Sequence, residues 1–209
     1  MKLSVYTRSV RLFCMALTLL LIALGAASCS ASHTPEEETT AKGSNIIFVI
    51  RDEDYNAFED EEYLEYDRQI YLTDAYGTTI VLDDETVTKQ NPAVQTLYGM
   101  INSAIRGNVK AYNALFSSNY YENHERVESF TMQPIYDTHF TFVRATEVVE
   151  KGNSYMQYEY EVSYKICWND GTLRRDIGHH ESKKQYFVLS DSTGRDVLID
   201  QILEYKYKN

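Results

Sequence analysis

The stretch SYMQYEYEVSYKICW, Ser154 to Trp168, decides the fold class. Met156, Tyr158, Tyr160, Val162, Tyr164, Ile166 and Trp168 fall on one face of an extended chain. Tyr155, Gln157, Glu159, Glu161, Ser163, Lys165 and Cys167 fall on the other. Alternation of this length predicts a long antiparallel strand with one side against a core. Asn169-Asp170-Gly171 follows as a hairpin-turn signal. A partner strand is expected before it, Tyr136 to Val149. Another is expected after it, bulged near Gly178 and running through Gln185 to Leu189. A last strand, Val197 to Tyr207, lies beyond the turn Asp191-Ser192-Thr193-Gly194, although Val197, Leu198, Ile202 and Leu203 also fit a helix.

Before residue 118 the apolar period is close to four. Asn91 is placed to cap a helix and Pro92 to open it. Val94, Leu97, Tyr98, Ile101 and Ile105 then form one apolar stripe, and Gly107 stops it. Asn108 caps a shorter helix through Val109, Tyr112, Leu115 and Phe116. Further upstream, Gln69 to Leu82 is a hairpin around Asp74-Ala75-Tyr76-Gly77, and Ile46 to Ile50 is a short strand. The sequence carries 18 tyrosines, nine glycines and three prolines. That composition suits a well-ordered, β-rich domain.

Helix, short helix, then long antiparallel strands resembles the nuclear transport factor 2-like superfamily. The run Val109-Lys110-Ala111-Tyr112-Asn113-Ala114-Leu115-Phe116 is similar to its second helix. Tyr160 to Gly171 and Gln185 to Asp191 are similar to its paired long strands. The resemblance covers Pro92 to Asn209 and implies an α+β cone, a curved antiparallel sheet packed on N-terminal helices. Residues 46–90 are then a β-rich extension, an extra strand and hairpin, and residues 91–209 the cone-like core of a single domain. The superfamily includes isomerases and dehydratases that use an acid and a tyrosine inside the cone, and members that only bind or assemble. No acid here matches that base, so no catalytic residue is carried over.

The N-terminus speaks to location. Lys2, Arg8 and Arg11 precede an uncharged run from Leu12 to Ala27, which ends in Ala26-Ala27-Ser28-Cys29. A positive start, an apolar middle and small residues before a cut define an export signal. As a helix the run spans roughly 24 Å, against about 30 Å of hydrocarbon, which disfavours a spanning anchor; an ordinary cleaved signal is the other alternative. The cysteine after the small residues resembles the signal of bacterial lipoproteins, with residues 1–28 removed and Cys29 carrying a diacylglyceryl group. Two acyl chains hold a protein stably to a bilayer. The expectation is a lipid-anchored protein on the cell membrane, facing outside the cytoplasm. Residues 29–45, with Pro35, Gly43 and no apolar side chain larger than alanine, read as a disordered tether with a mean reach of about 20–24 Å.

Removing the signal takes three positive charges and no acid, so the formal charge falls from −11 to −14. Nucleic acid and anionic headgroups repel such a surface, and nucleic acid is set aside as a partner. Cys167 would be the only cysteine left besides Cys29, which excludes an internal disulfide; it reads as a small strand residue. Asp52, Asp54, Asn56 and Asp60 have the spacing of a calcium loop, but Ala57 and Tyr63 stand where it needs glycine and glutamate. His179 and His180 are neighbours, which on a strand point to opposite sides. His124 and His139 stand alone and read as structural. No metal and no cofactor is expected. No nucleophile elbow and no phosphate loop is present. The best binding candidates are the ligand-facing tyrosines Tyr158, Tyr160 and Tyr164; the competing reading is that the same rings fill the core beneath the first helix. The leading functional expectation is a non-catalytic module for a small ligand or an envelope protein, the second an isomerase- or dehydratase-like enzyme, the third a homodimer formed through the sheet.

Overall fold

The computed structural model describes residues 38–40, 46–52, 54–150, 152–192, 194 and 196–204. The expected export signal, Cys29 and most of the expected tether lie outside these residues. Chain order is β1 (Glu38–Thr40), β2 (Ile47–Val49), α1 (Glu61–Glu65), β3 (Ile70–Thr73), β4 (Thr79–Leu82), a 3-10 turn (Val87–Lys89) and α2 (Pro92–Ile105). It continues with α3 (Val109–Asn113), α4 (Ser118–Tyr121), β5 (Ile135–Glu150), β6 (Asn153–Ile166), β7 (Gln185–Ser190) and β8 (Leu198–Leu203). The class is α+β. Six strands form one curved, unclosed sheet in the order β4-β3-β5-β6-β7-β8, and β1-β2 is a separate pair. Within the span expected to be a tether, Glu38–Thr40 is therefore a strand: β2 offers an unpaired edge, and three residues of that span complete it.

The sheet departs from the expected antiparallel pattern at one place. β3 lies parallel to β5, with Ile70 opposite Thr138 and Thr73 opposite Thr141. A parallel pair needs a long crossover, and the chain from β4 through α2, α3 and α4 supplies it. The hairpin at residues 70–82 is thus built into the sheet rather than added to it. Its Ile70, Leu72 and Leu82 belong to the main core. Its turn is held as the residues suggest: Asp74 Oδ1 accepts from the amides of Tyr76 and Thr78, both at 2.8 Å.

Helix α2 starts where its sequence says. The Asn91 side chain accepts from the Val94 amide at 3.1 Å, and Pro92 is the first helical residue. Its buried stripe, Val94, Leu97, Met100, Ile101 and Ile105, packs with Phe140, Val162, Ile166, Phe187 and Ile199 of the sheet. Asn108 caps α3 through the Ala111 amide, although that helix stops at Asn113, before Leu115 and Phe116. The last strand forms as a strand over Leu198–Leu203.

Alternation along β6 holds from Tyr160 to Ile166 and then breaks. Trp168 does not stay on the tyrosine face: its φ of 51° turns the chain, and the residue is 38% exposed. Cys167 is buried instead, in a second cluster with Ala57, Tyr63 and Tyr136 on the opposite side of the sheet. The cause is the segment from Arg51 to Tyr66, which covers that side. Tyr63 donates to the carbonyl of Ile135 at 2.7 Å from within this cluster. Asn169-Asp170-Gly171 is likewise no tight hairpin. It opens a long connection to β7, pinned by buried Asn169, whose Nδ2 donates to the carbonyls of Arg174 and Ile177.

Candidate binding cavity

Helices α3 and α4 are too short to seal the end of the sheet that α2 leaves uncovered. A cavity of about 310 Å³ remains there. One wall is aromatic: Tyr112 packs on Phe116 at 5.0 Å between ring centres, Phe116 on Tyr120 at 4.6 Å, and Tyr120 edge-on to Tyr121 at 5.5 Å. Ser117 fixes this wall by capping α4 at the Tyr120 amide, and Tyr121 Oη donates to the Asn113 carbonyl at 2.8 Å. Tyr164 of β6 and Phe187 of β7 line the sheet side.

Arg174 brings charge to this lining and is itself 8% exposed. It donates from Nε and Nη2 to the two carboxylate oxygens of Asp176, at 2.6 and 2.8 Å, and from Nη1 to Gln185 Oε1 at 2.8 Å and Tyr164 Oη at 3.2 Å. The two-pronged pair locks the guanidinium plane. Burial acts to raise the Asp176 carboxyl, but the hydrogen bonds and charge of Arg174, with Lys183 nearby, hold it below the ordinary range. Burial also pushes the Tyr112 phenol well above its usual value. The cavity is thus ring-walled, with an internally neutralised Arg174–Asp176 pair and a Tyr112 hydroxyl that stays protonated. Such a lining suits a small molecule with a flat apolar body and one or two polar groups.

The three tyrosines singled out from sequence are placed differently. Tyr164 lines the cavity. Tyr160 is 1% exposed in the core, edge-on to Phe142, and its hydroxyl accepts from Asn91 Nδ2 at 2.8 Å. Tyr158 is half-buried against the margin of the main core. Tyr112, Phe116, Tyr120, Tyr121 and Arg174 were not marked by any motif, because segments far apart in the chain assemble them. The ring-rich run from Tyr112 to Tyr121 was the one available signal.

The remaining candidates have structural partners. Asp60 caps α1 at the Tyr63 amide and accepts from Tyr55 Oη at 2.7 Å. Tyr63, in the last position of the calcium-type spacing, is buried. His124 stacks on Tyr120 and its Nδ1 donates to the Tyr120 carbonyl. His139 lies on Tyr71 and against Asp137. Burial, with Glu62 and Asp60 adding to it, pushes the Cys167 thiol up to about 12, so it is protonated at neutral pH and no ready nucleophile. Glu62 and His180 lie beside it. No helix among the described residues is long and apolar enough to cross a membrane. No family model, curated protein or solved structure matches the chain.

Proposed function

We propose that the chain is a lipid-anchored binding module, tethered to the bacterial cell membrane through diacylglyceryl-Cys29 and facing outside the cytoplasm. In this reading its body is a variant of the nuclear transport factor 2-like cone, and the ring-walled cavity takes a small amphipathic ligand. One observation carries the binding half: the 310 Å³ cavity lined by Tyr112, Tyr164 and a fixed Arg174–Asp176 pair. The anchor rests on the sequence from Lys2 to Cys29. An isomerase-like alternative needs a lining acid with its pKa raised beside a tyrosine. Asp176, paired with Arg174, moves the opposite way and does not supply that acid.

The probe for the cavity is 8-anilinonaphthalene-1-sulfonate, a flat amphipathic dye. The wild-type chain should enhance its fluorescence saturably, and Leu173→Trp, which fills the cavity, should remove at least about 90% of that signal. A dye response unchanged by Leu173→Trp overturns the binding reading. For the anchor, Cys29→Ala should move the protein out of the membrane fraction; unchanged fractionation overturns it.

A further inference from the structure

On the side of the sheet away from the cavity, three side chains with different donor atoms converge. We propose that Glu62, Cys167 and His180 form a binding site for a borderline transition-metal dication of the zinc class. Their ligand atoms, a carboxylate oxygen, a thiol sulfur and an imidazole nitrogen, all lie within 4.8 Å of one another. They come from α1, from the residue just after β6 and from the connection to β7, so no local turn brings them together by default.

The surroundings are those of a prepared site. Tyr136 Oη meets His180 Nδ1 at 2.9 Å and holds the ring in place. Trp168 Nε1 donates to Glu62 Oε2 at 2.8 Å, and Tyr66 Oη donates to Glu62 Oε1 at 3.1 Å. Each carboxylate oxygen keeps a second lone pair after those bonds. Outer partners of this kind orient metal ligands. Tyr66 stacks on Tyr136 at 4.4 Å, and Trp168 lies edge-on to His180 at 5.4 Å, which walls the group with rings. Arg51 donates from Nη2 to the carbonyl of Cys167 at 2.8 Å and fixes the sulfur's backbone.

Backbone conformation supports the same place. The non-glycine residues with left-handed φ among the described residues are Asp137, Trp168 and His180. One is a ligand, one follows the cysteine, and one follows Tyr136. Such conformations persist where the surroundings over-determine them, and they gather at functional sites.

The donor set selects the metal. One sulfur, one nitrogen and one oxygen suit Zn²⁺ or Co²⁺ and disfavour the all-oxygen ions Ca²⁺ and Mg²⁺. On binding, the Cys167 S–H bond breaks, a sulfur–metal bond forms and the proton passes to solvent. Three protein ligands leave a fourth tetrahedral position for water or another small donor.

The test is Co²⁺ titration of the full chain in detergent after chelator treatment. The expected result is one equivalent bound, with a near-ultraviolet thiolate-to-cobalt band and visible d–d bands that Zn²⁺ abolishes. Cys167→Ser should lose the thiolate band. His180→Gln, at a half-exposed position, keeps the fold testable should Cys167→Ser unfold; it should weaken binding at least about 10-fold. Tyr136→Phe should weaken it by about 10–100-fold while the thiolate band stays. Absence of the thiolate band in the wild-type chain, its persistence in Cys167→Ser, or unchanged affinity in His180→Gln overturns the proposal.

Discussion

Replacing Arg51 by methionine should destabilise the fold more than any surface change, although Arg51 lies in the segment before the main sheet. Its side chain and that of Asp170 are each 2% exposed, and they face each other at 3.9 Å. Nη1 donates to the Met132 carbonyl at 3.2 Å and Nη2 to the Cys167 carbonyl at 2.8 Å, with a further bond to the Trp168 carbonyl. The Tyr55 ring lies 4.4 Å from Cζ. Hydrogen bonds from a charged donor contribute about 1.5–3 kcal/mol each, and removing one partner of a buried pair costs about 3–5 kcal/mol. The two figures overlap and do not add, because Asp170 keeps Thr131, Gln133 and Thr172 as donors. Arg51→Met should therefore cost about 3–5 kcal/mol. With a urea slope of about 2 kcal/mol per molar, the midpoint falls by about 1.5–2.5 M, read by far-ultraviolet circular dichroism. Arg51→Lys keeps the charge but not the planar fork and should recover less than half. Adding Asp170→Leu to Arg51→Met should recover nothing, since it also strips Thr131, Gln133 and Thr172 of their shared acceptor. A midpoint shift below about 0.5 M for Arg51→Met, with the slope unchanged, would refute the assignment of Arg51 as the clip between the N-terminal segment and the β6–β7 connection.

Gly171→Ala should cost about 1–3 kcal/mol by the same urea assay. Gly171 has φ 71°, and a Cβ there would meet the Phe48 ring at 2.9 Å; a paired Phe48→Leu change that recovers nothing would leave the backbone alone responsible. Asp176 has a folded-state pKa below its unfolded value, so its contribution is complete above about pH 4 and is lost as pH falls through the folded value. Asp176→Asn should thus lower the urea midpoint at pH 7 and flatten its decline between pH 5 and pH 2, in units of about one pH step per measurement. Asp83 and Asp137, also held below the ordinary range, keep a residual slope; an acid limb as steep as wild type would exclude Asp176 as a source.

Local signals were readable to the residue. Asn91 and Pro92 open α2 because a cap and a fixed φ act within one turn of chain. The 70–82 hairpin was legible for the same reason, since Asp74 bonds amides two and four residues on. The β6 alternation was legible as far as Ile166, where one face meets α2. What failed was anything set by distant partners. A four-residue strand such as β3 carries no mark of lying parallel to β5. The burial of Cys167 and the exposure of Trp168 depend on a segment a hundred residues upstream folding over that side. The candidate site divides along the same line. Tyr164 was reachable because it sits on the alternating strand. Arg174 was not, because its place beside Tyr164 and Gln185 follows from the shape of an irregular connection.

The parallel pairing of β3 with β5 also governs how the chain must assemble. Ribosomes deliver residues at about 5–20 per second, so the 70–82 hairpin is complete about 3–12 s before its partner at Thr138 to Thr141. During that interval Ile70 and Leu72 have only a two-stranded hairpin to lean on, which water scarcely tolerates. Closure then spans a long loop and comes late in folding. The nascent chain thus has a vulnerable period, and a holding chaperone that covers Ile70 and Leu72 would act there, well before the last strand is made.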